Sequence, residues 1–438
     1  MIRILSVAVP ARILTLILTE AAILFGCYFF AVWIDPDIPE IASFVQFDAG
    51  VQRIAIVVVT ILLGFYFRNL YSAVRMPDRL SLAQELITVL GATLVVQGLV
   101  HYVSADLTLP RKVMLYGSPL VLVTIFAWRL FFDAASLDAR TAQRILFLGM
   151  SPAALELTEY LRSRREMGIQ PVGYLSDRPQ AAEVPGLPHL GGFASLDDVF
   201  EREQPSSIVI AQREEVLPEW SEDFLELEFG GVRIEEVTAL YERTFGRVHV
   251  SAAALPRFIF SEAFEPDPIT SRLQAIYSPV IALLALILLS PLLVVLALTI
   301  RFSSPGPVIL RDWRLGADGV PFRLLRFRMR GVPGEVFIRR FGLDALPQFW
   351  NVLRGSMSIV GPTPQKPETV EEISRTIPLY RQRHRVKPGL TGWEQVHRHL
   401  FEPQDVRARL EYDLYYVKNL APSLDSAVLM LALKEKLL

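Results

Sequence analysis

Long apolar segments are the feature of this sequence that most restricts its fold. Four of them lie in the first third of the chain, at residues 13–34, 54–67, 86–103 and 119–132. A helix needs about 20 apolar residues to cross a bilayer, and each segment approaches that length. Hydrophobic residues make up 52% of the 438 residues, which is high for a soluble protein. The sequence therefore predicts four transmembrane helices in a domain of residues 1–140.

The charges of the connecting loops predict how these helices are oriented. The loop after the first segment, DPDIPEIASFVQFD, has no lysine or arginine, whereas the next loop carries Arg68, Arg75 and Arg79. Loops rich in Lys and Arg stay on the cytoplasmic side. We therefore expect the N-terminus, the second loop and everything after the fourth helix to be cytoplasmic. The first segment is too long for a cleavable signal peptide.

Glu20 lies inside the first apolar segment. A charge within the membrane is costly and suggests a function by default. The alternative is a structural glutamate, either protonated or paired with a neighbouring helix. The sequence favours this structural alternative.

The segment 141–265 alternates strand-like and helix-like patterns, beginning with RILFLGMSPAALELTEYL. Such alternation predicts a Rossmann-like domain with a parallel sheet. Its first turn keeps Gly149, but Ser151 and Ala154 stand where a dinucleotide fingerprint has glycines. Those glycines let the backbone approach a pyrophosphate. We therefore expect no dinucleotide here.

A fifth apolar segment spans residues 276–302 and is long enough to cross a bilayer. Ser290 and Pro291 lie near its middle, and proline breaks or kinks a helix. Basic residues flank both ends, with Arg272 before the segment and Arg301 at its close. Both ends are therefore expected on the cytoplasmic side, which predicts a re-entrant helix broken at Ser290 and Pro291.

The remaining residues are polar and rich in turns, and residues 266–438 are expected to form a compact unit on the membrane surface. Four stretches in this region carry a family resemblance: SSPGPVILRDWRLGADGVPFRLLRFRM, GLDALPQFWNVLRGSMSIVGPTP, VKPGLTGWEQVHR and LEYDLYYVKN. They resemble the bacterial sugar transferases, the monotopic polyprenyl-phosphate phosphoglycosyl transferases that start exopolysaccharide and O-antigen synthesis. The larger members of that family also have four membrane helices and a Rossmann-like domain.

The resemblance implies an inner-membrane enzyme with a mainly α-helical, monotopic transferase domain. Such enzymes transfer a sugar-1-phosphate from a UDP-sugar to an aspartate and then to undecaprenyl phosphate, assisted by Mg²⁺. By resemblance the aspartate is Asp344. The resemblance also implies contact with membrane lipids and allows a homodimer, and it leaves the sugar undetermined.

Asp344 also has a physical case of its own. The sequence DALPQFWNVLRG predicts a short helix with Asp344 at or near its start and Gly355 past its end. There the helix dipole favours a carboxylate and an incoming phosphate. On local sequence alone, a helix N-cap is an equally simple role.

Phosphates meeting a carboxylate require cations. The residues predicted to bind phosphate or the nucleotide sugar are Arg314, Arg328, Arg339, Arg340, Pro362, Pro364, Arg385 and Lys387. Glu411 and Asp413 are candidate metal ligands by resemblance, with ordinary salt bridges as the alternative. The basic clusters at 323–330 and 380–387 are expected to meet lipid headgroups and phosphates, since no nucleic-acid motif accompanies them.

Three departures from the family lie near the expected chemistry. Ala345 stands where the family has glutamate, Thr363 replaces the arginine of GPRP, and the segment between Met329 and Phe341 is short. Two functions therefore stay open. One is an active transferase in which Glu335, Glu394 or Asp413 supplies the missing carboxylate. The other is an inactive relative that scaffolds or regulates a polysaccharide assembly complex.

Overall fold

A computed structural model describes most of the chain. The described residues are 2–4, 7–9, 11–36, 44, 49–68, 70–71, 79–136, 143–164, 168–177, 186–211, 221–250, 266–303 and 305–437. They divide into two compact units, whose main parts are Val9–Ile234 and Glu235–Leu438. Each unit is described by itself.

Two short strands open the chain, β1 (Ile2–Ile4) and β2 (Val7–Val9). The first unit then contains four long helices, α1 (Ala11–Ile34), α2 (Gly50–Phe67), α3 (Arg79–Val103) and α4 (Arg111–Ser136). All four helices contain stretches long and apolar enough to cross a membrane. Tyr28, Ile54, Phe65 and Ile125 are fully or almost fully buried between them. The helices extend beyond the apolar segments, because polar residues continue them at their ends.

Glu20 is paired inside this helical bundle and is completely buried. Its Oε1 accepts a hydrogen bond from Arg129 Nε at 2.6 Å, and its Oε2 accepts from Arg129 Nη2 at 3.0 Å and from Tyr71 Oη at 2.7 Å. Arg129 Nη1 also donates to the Leu70 carbonyl at 3.1 Å. The guanidinium lies 5.0 Å from the ring centre of Phe65. Glu20 is therefore structural, as the helix-paired alternative predicts.

The first unit also contains a five-stranded sheet with helices between its strands. The elements are β3 (Gln143–Leu148), α5 (Pro152–Ser163), β4 (Ile169–Leu175), β5 (His189–Gly191), α6 (Leu196–Glu203), β6 (Ser207–Ile210), α7 (Ser221–Phe229) and β7 (Arg233–Glu236). The strand order is β5-β4-β3-β6-β7, and β3 runs parallel to both of its neighbours. This is the Rossmann strand order 3-2-1-4-5. The sequence did not predict β5, which is only three residues long.

The turn between β3 and α5 is stabilised by the backbone conformation of Gly149 and by the side chain of Ser151. Gly149 has a φ of 72°, a left-handed conformation that favours glycine. Ser151 Oγ accepts a hydrogen bond from the Ala154 amide at 3.3 Å and so caps α5. The serine in the fingerprint thus has a local structural role.

The second unit carries the sequence motifs of the C-terminal region. Its helices and strands are α8 (Val237–Phe245), α9 (Pro268–Leu288), α10 (Ser290–Ser303), β8 (Ile309–Leu315), β9 (Pro321–Phe327), α11 (Glu335–Arg340), α12 (Gln348–Leu353), β10 (Ser358–Val360), α13 (Pro367–Thr376), β11 (Gly389–Thr391), α14 (Trp393–Val396), α15 (Val406–Lys418) and α16 (Pro422–Leu437). Short 3-10 turns connect several of them.

The fifth apolar segment forms two helices. α9 ends at Leu288, α10 begins at Ser290, and Pro291 lies in the first turn of α10. Ser290 Oγ donates to the Ile287 carbonyl at 2.8 Å. Of the two helices, α9 is long and apolar enough to span a membrane, and α10 is shorter.

α8 and the residues after it pack within the second unit, although the sequence placed them in the middle domain. Val248 and Val250 are buried in the core of this unit. Trp393 Nε1 donates to the Gly246 carbonyl at 2.6 Å, and Lys418 Nζ pairs with Glu242 at 2.9 Å. These contacts join residues 242–250 to α14 and α15.

Candidate active site

Asp344 lies on a tight 3-10 turn rather than at the start of an α-helix. Gly342 has a φ of 69°, and the Ala345 amide donates to the Gly342 carbonyl at 3.1 Å. The α-helix α12 begins only at Gln348. Pro347 is the N-cap of α12, a place where a missing amide hydrogen breaks no helical hydrogen bond. Asp344 is therefore near the start of this helix, as predicted, but it lies in the preceding turn and its carboxylate caps no helix.

The side chain next to Asp344 is that of Arg326 on β9. Arg326 Nη2 lies 3.4 Å from Asp344 Oδ2, and the two side chains are 45% and 14% exposed. Within the described part of the chain, no other charged side chain contacts this carboxylate. Asp344 is thus largely sheltered from solvent beside one positive charge.

The strand that carries Arg326 is fixed on both edges. β9 pairs antiparallel with β8, with Arg326 opposite Leu310. On the other side, Asn351 of α12 accepts a hydrogen bond from the Leu325 amide at 3.0 Å and donates to the Arg323 carbonyl at 2.8 Å. Asn351 therefore holds β9 at the residue that precedes Arg326.

The GPTP turn follows β10 and is held against β11. The Gly361 amide donates to the Thr391 carbonyl at 2.9 Å, and the Gly389 amide donates to the Pro362 carbonyl at 3.1 Å. A Cβ on Gly389 would lie 2.1 Å from the Gly361 nitrogen, so glycine is required for this approach. Pro362 and Pro364 are buried.

Thr363, at the position of the family's arginine, is bound by three groups. Its Oγ1 donates to Glu394 Oε2 at 3.2 Å and accepts from Gln395 Nε2 at 2.8 Å. Its carbonyl accepts from Arg383 Nη2 at 3.1 Å. The middle of the turn is therefore anchored to α14 and to the 3-10 helix Tyr380–Arg385.

The two predicted metal ligands point to different partners. Asp413 pairs with Arg383 at 2.7 Å, and both side chains are buried. Burial raises the pKa of Asp413 to about 7, although the charge of Arg383 opposes this shift. Glu411 accepts from the Val250 amide at 3.1 Å and lies 3.5 Å from Arg247. Residues two apart on a helix do not face each other.

A metal held by the protein alone does not fit this arrangement. In the residues that the structure describes, no group of three or more His, Cys, Asp or Glu side chains could hold an ion. Glu411 and Asp413 are salt-bridge partners in this structure, and their role as metal ligands stays a prediction. A divalent ion would need oxygens from a ligand, which is common for Mg²⁺.

The predicted phosphate-binding cations are spread over several contacts. Arg314 Nη1 donates to the Pro364 carbonyl at 3.5 Å, and Arg385 Nε donates to Gln382 Oε1 at 3.2 Å. Arg328 donates to the Pro305 carbonyl, Arg339 pairs with Glu335 at 2.8 Å, Arg340 is exposed, and Lys387 Nζ lies beside Gly355. Arg314 adjoins the GPTP turn through the Pro364 carbonyl, and none of the six contacts Asp344.

Sequence reasoning missed Arg326 as the partner of Asp344. It lay in the basic cluster 323–330, which was assigned to phosphates as a whole. A predicted strand at 321–327 could have distinguished Arg326 from the other arginines of the cluster. No strand was predicted in this region.

Comparison with known proteins identifies the family. The family model for bacterial sugar transferases matches residues 269–437. The exopolysaccharide production protein PSS of Rhizobium leguminosarum bv. phaseoli is 34% identical over 192 residues, covering 37% of this chain and 92% of that protein. The chain belongs to the bacterial sugar transferase family.

Two further relatives of this sugar transferase have specific activities in their names. The UDP-glucose:undecaprenyl-phosphate glucose-1-phosphate transferase of Xanthomonas campestris pv. campestris is 30% identical over 323 residues, covering 66% of this chain and 65% of that protein. The UDP-N-acetylgalactosamine-undecaprenyl-phosphate N-acetylgalactosaminephosphotransferase of Aeromonas hydrophila is 36% identical over 179 residues, with coverages of 36% and 42%. The aligned part is thus less than two thirds of either relative.

Proposed function

We propose that this sugar transferase moves a sugar-1-phosphate from a UDP-sugar to undecaprenyl phosphate and so initiates exopolysaccharide or O-antigen synthesis. An Asp344 oxygen attacks the β-phosphorus of the donor, the bond from that phosphorus to the bridging oxygen breaks, and UMP leaves. An oxygen of undecaprenyl phosphate then attacks the same phosphorus. This step forms the lipid diphosphate sugar and regenerates the Asp344 carboxylate. A covalent intermediate divides one difficult transfer into two easier ones.

The observation that carries this proposal is the environment of Asp344. Its side chain is 14% exposed, and Arg326 lies 3.4 Å away. A nucleophile for phosphorus needs a free oxygen and a nearby cation that stabilises the charge of the transition state. The names of the relatives support UDP-sugars as donors and undecaprenyl phosphate as the acceptor. The two relatives use different sugars, so the sugar is left open.

The membrane arrangement is part of the proposal. α1 to α4 cross the bacterial inner membrane, and α9 with α10 form a re-entrant pair whose break lies at Ser290 and Pro291. The Rossmann-like sheet and the transferase region are on the cytoplasmic side, where nucleotide sugars are made. Mg²⁺ is proposed to arrive with the diphosphate of the donor, and a homodimer is compatible with the family.

An inactive scaffold is the second candidate function, and Ala345 is the observation that favours it. All three carboxylates considered as substitutes already have partners. Glu335 pairs with Arg339 at 2.8 Å, Glu394 accepts from Thr363 at 3.2 Å, and Asp413 pairs with Arg383 at 2.7 Å. A relative that lacks the family's glutamate and has no substitute can retain the fold without turnover.

The deciding experiment measures UMP release by the purified full-length protein in lipid nanodiscs. UDP-glucose, UDP-N-acetylgalactosamine and other UDP-sugars are supplied with undecaprenyl phosphate and Mg²⁺. Without the acceptor, intact mass should increase by one sugar-phosphate, and peptide mapping should place it on Asp344. If high enzyme concentrations release no UMP from any donor, the scaffold is the better account. Activity gained by Ala345→Glu would then attribute the loss to this one residue.

A further inference from the structure

The hairpin that carries Arg326 has little support of its own. β8 and β9 form a two-stranded sheet, and a hairpin of two strands is at best marginally stable in water. Residues 309–313 of β8 are exposed. The position of β9, and with it the position of Arg326, therefore depends on how β9 contacts the rest of the second unit.

The apolar face of β9 is held by the core. Leu324 of β9 and Val352 of α12 are buried in the same hydrophobic cluster. Hydrophobic contacts are not directional, so they do not by themselves fix how far β9 slides along its own axis. A slide of one residue would move Arg326 by about 3.3 Å and turn its side chain to the other face. That movement is nearly the whole 3.4 Å between Arg326 Nη2 and Asp344 Oδ2.

Asn351 supplies the directional contacts that the core lacks. Its Oδ1 accepts a hydrogen bond from the Leu325 amide at 3.0 Å, and its Nδ2 donates to the Arg323 carbonyl at 2.8 Å. The outer edge of a strand presents such an amide and such a carbonyl to a neighbouring strand. The carboxamide of Asn351, which is buried, therefore takes the place of a third strand, and its two hydrogen bonds fix β9 along its axis.

Asn351 is also connected to Asp344 through a short stretch of ordered backbone. The amides of residues 345, 346, 349 and 350 each donate to the carbonyl three residues earlier in the chain. The turn that carries Asp344 thus continues into α12, the helix that carries Asn351. Asn351 is therefore tied to Asp344 through the chain and to Arg326 through the backbone of β9.

We propose that Asn351 is a positioning residue for the transfer reaction, which holds Arg326 opposite Asp344 so that the guanidinium meets the phosphate under attack. Its side chain acts through the backbone of β9. This inference rests on the proposed function. If Asn351 served folding alone, its loss would lower the amount of folded protein and leave the rate of each folded molecule unchanged.

Two variants of Asn351 separate positioning from packing. Asn351→Leu keeps the branched shape of the side chain but removes both hydrogen bonds to β9. Asn351→Ala leaves space in which a water molecule can bond to both backbone groups. In nanodiscs, kcat for UMP release should fall about 10- to 100-fold in Asn351→Leu with little change in KM, and it should fall less in Asn351→Ala. A side chain that only filled the core would give the opposite order, because alanine leaves the larger cavity.

A double-mutant cycle with Arg326→Gln tests whether Asn351 acts through Arg326. In the Arg326→Gln protein, Asn351→Leu should lower kcat/KM by less than about twofold, because the residue that it positions is already gone. If the leucine variant does not fold, Asn351→Ala enters the same cycle. Asn419→Leu is the matched control, since Asn419 Nδ2 donates to the Tyr415 carbonyl at 2.9 Å, beyond the end of α15. It should leave kcat/KM within about twofold of the original.

Hydrogen–deuterium exchange measures the same contact without a reaction. The peptide that covers β9 should exchange faster in Asn351→Leu and at the original rate in Asn419→Leu. Unchanged exchange in Asn351→Leu, or effects of Asn351→Leu and Arg326→Gln that multiply in the double variant, would overturn the inference and leave the transferase in place. If the unaltered protein releases no UMP from any donor, the proposed function fails and the positioning role fails with it, and this outcome is recognised before any variant is made.

Discussion

The two units of this protein each contain an arginine–carboxylate pair, and the two pairs differ in how many hydrogen bonds or charged contacts the carboxylate makes. In the helical bundle, Glu20 accepts three hydrogen bonds from Arg129 and Tyr71, and both charged side chains are at most 1% exposed. In the transferase region, Asp344 has a single charged contact with Arg326 at 3.4 Å, and Arg326 is 45% exposed.

The difference teaches how to distinguish a structural carboxylate from one that is available for the proposed chemistry in the same chain. A buried ion pair stabilises a fold only when its lone pairs and protons are satisfied, and Glu20 meets this condition. A nucleophile must keep an oxygen uncommitted, and Asp344 meets that one. Removing the charge should therefore damage stability at Glu20 and chemistry at Asp344.

The largest effect is expected from Asp344→Asn. An amide oxygen cannot form the phosphate ester, so UMP release should fall by at least about a thousandfold, the order of loss seen when a group essential to catalysis is removed. The melting temperature should stay close to that of the unaltered protein, because the carboxylate has only one charged contact. Radiometric or luminescent UMP assays and thermal unfolding in nanodiscs measure the two quantities. Activity above a tenth of the original would remove Asp344 from the mechanism.

The same change at Glu20 should have the opposite result. Glu20→Gln leaves the buried Arg129 without a counter-charge, which costs about 3–5 kcal/mol. Thermal unfolding in nanodiscs should show a large loss of stability, whereas the folded fraction should release UMP at the usual rate. Replacing both residues by methionine is the control, since it removes both charges and should recover most of the stability. A stable Glu20→Gln protein would contradict the structural role of the pair.

These two carboxylates also show what the sequence could predict. The position of Glu20 in an apolar segment favoured a structural glutamate, either protonated or paired. Its partner lies 109 residues away in the chain, and periodicity does not specify such pairs. The motif around Asp344 predicted, by family resemblance, that this residue is the nucleophile, and this stays a prediction. The 3-10 turn Leu343–Ala345 that precedes α12 was not predicted, because the same local sequence is compatible with a helix start at Asp344.

Local sequence patterns also predicted only part of the fold of each unit. Alternating patterns were sufficient for the strands of the Rossmann-like sheet, where each element has its own hydrophobic period. The β8–β9 hairpin was not predicted, because arginines interrupt the apolar pattern of both strands. Arg326 therefore could not be assigned to Asp344.

A smaller effect should follow from changing Arg326. Arg326→Gln removes the cation beside Asp344 and should lower kcat/KM by about 10- to 100-fold, as for the loss of one electrostatic stabiliser. Arg326→Lys keeps the charge and should retain more activity. Steady-state UMP release measures both. Equal activity of the glutamine and lysine variants would show that the reaction does not use the charge of Arg326. The Asp344–Arg326 pair would then differ from the Glu20–Arg129 pair in geometry but not in a role in catalysis.

The smallest effect is expected at the exposed pair of α11. Arg339 and Glu335 lie 2.8 Å apart but are 59% and 37% exposed, and exposed pairs contribute at most about 1 kcal/mol. Glu335→Gln should therefore change the melting temperature little. It also tests whether Glu335 replaces the family's missing glutamate, because a substitute carboxylate would cost activity when neutralised. If UMP release by Glu335→Gln stays within about twofold, Asp344 and Arg326 work without it. A loss of a hundredfold would instead place Glu335 among the reacting groups, and a solvent-exposed ion pair would then serve catalysis.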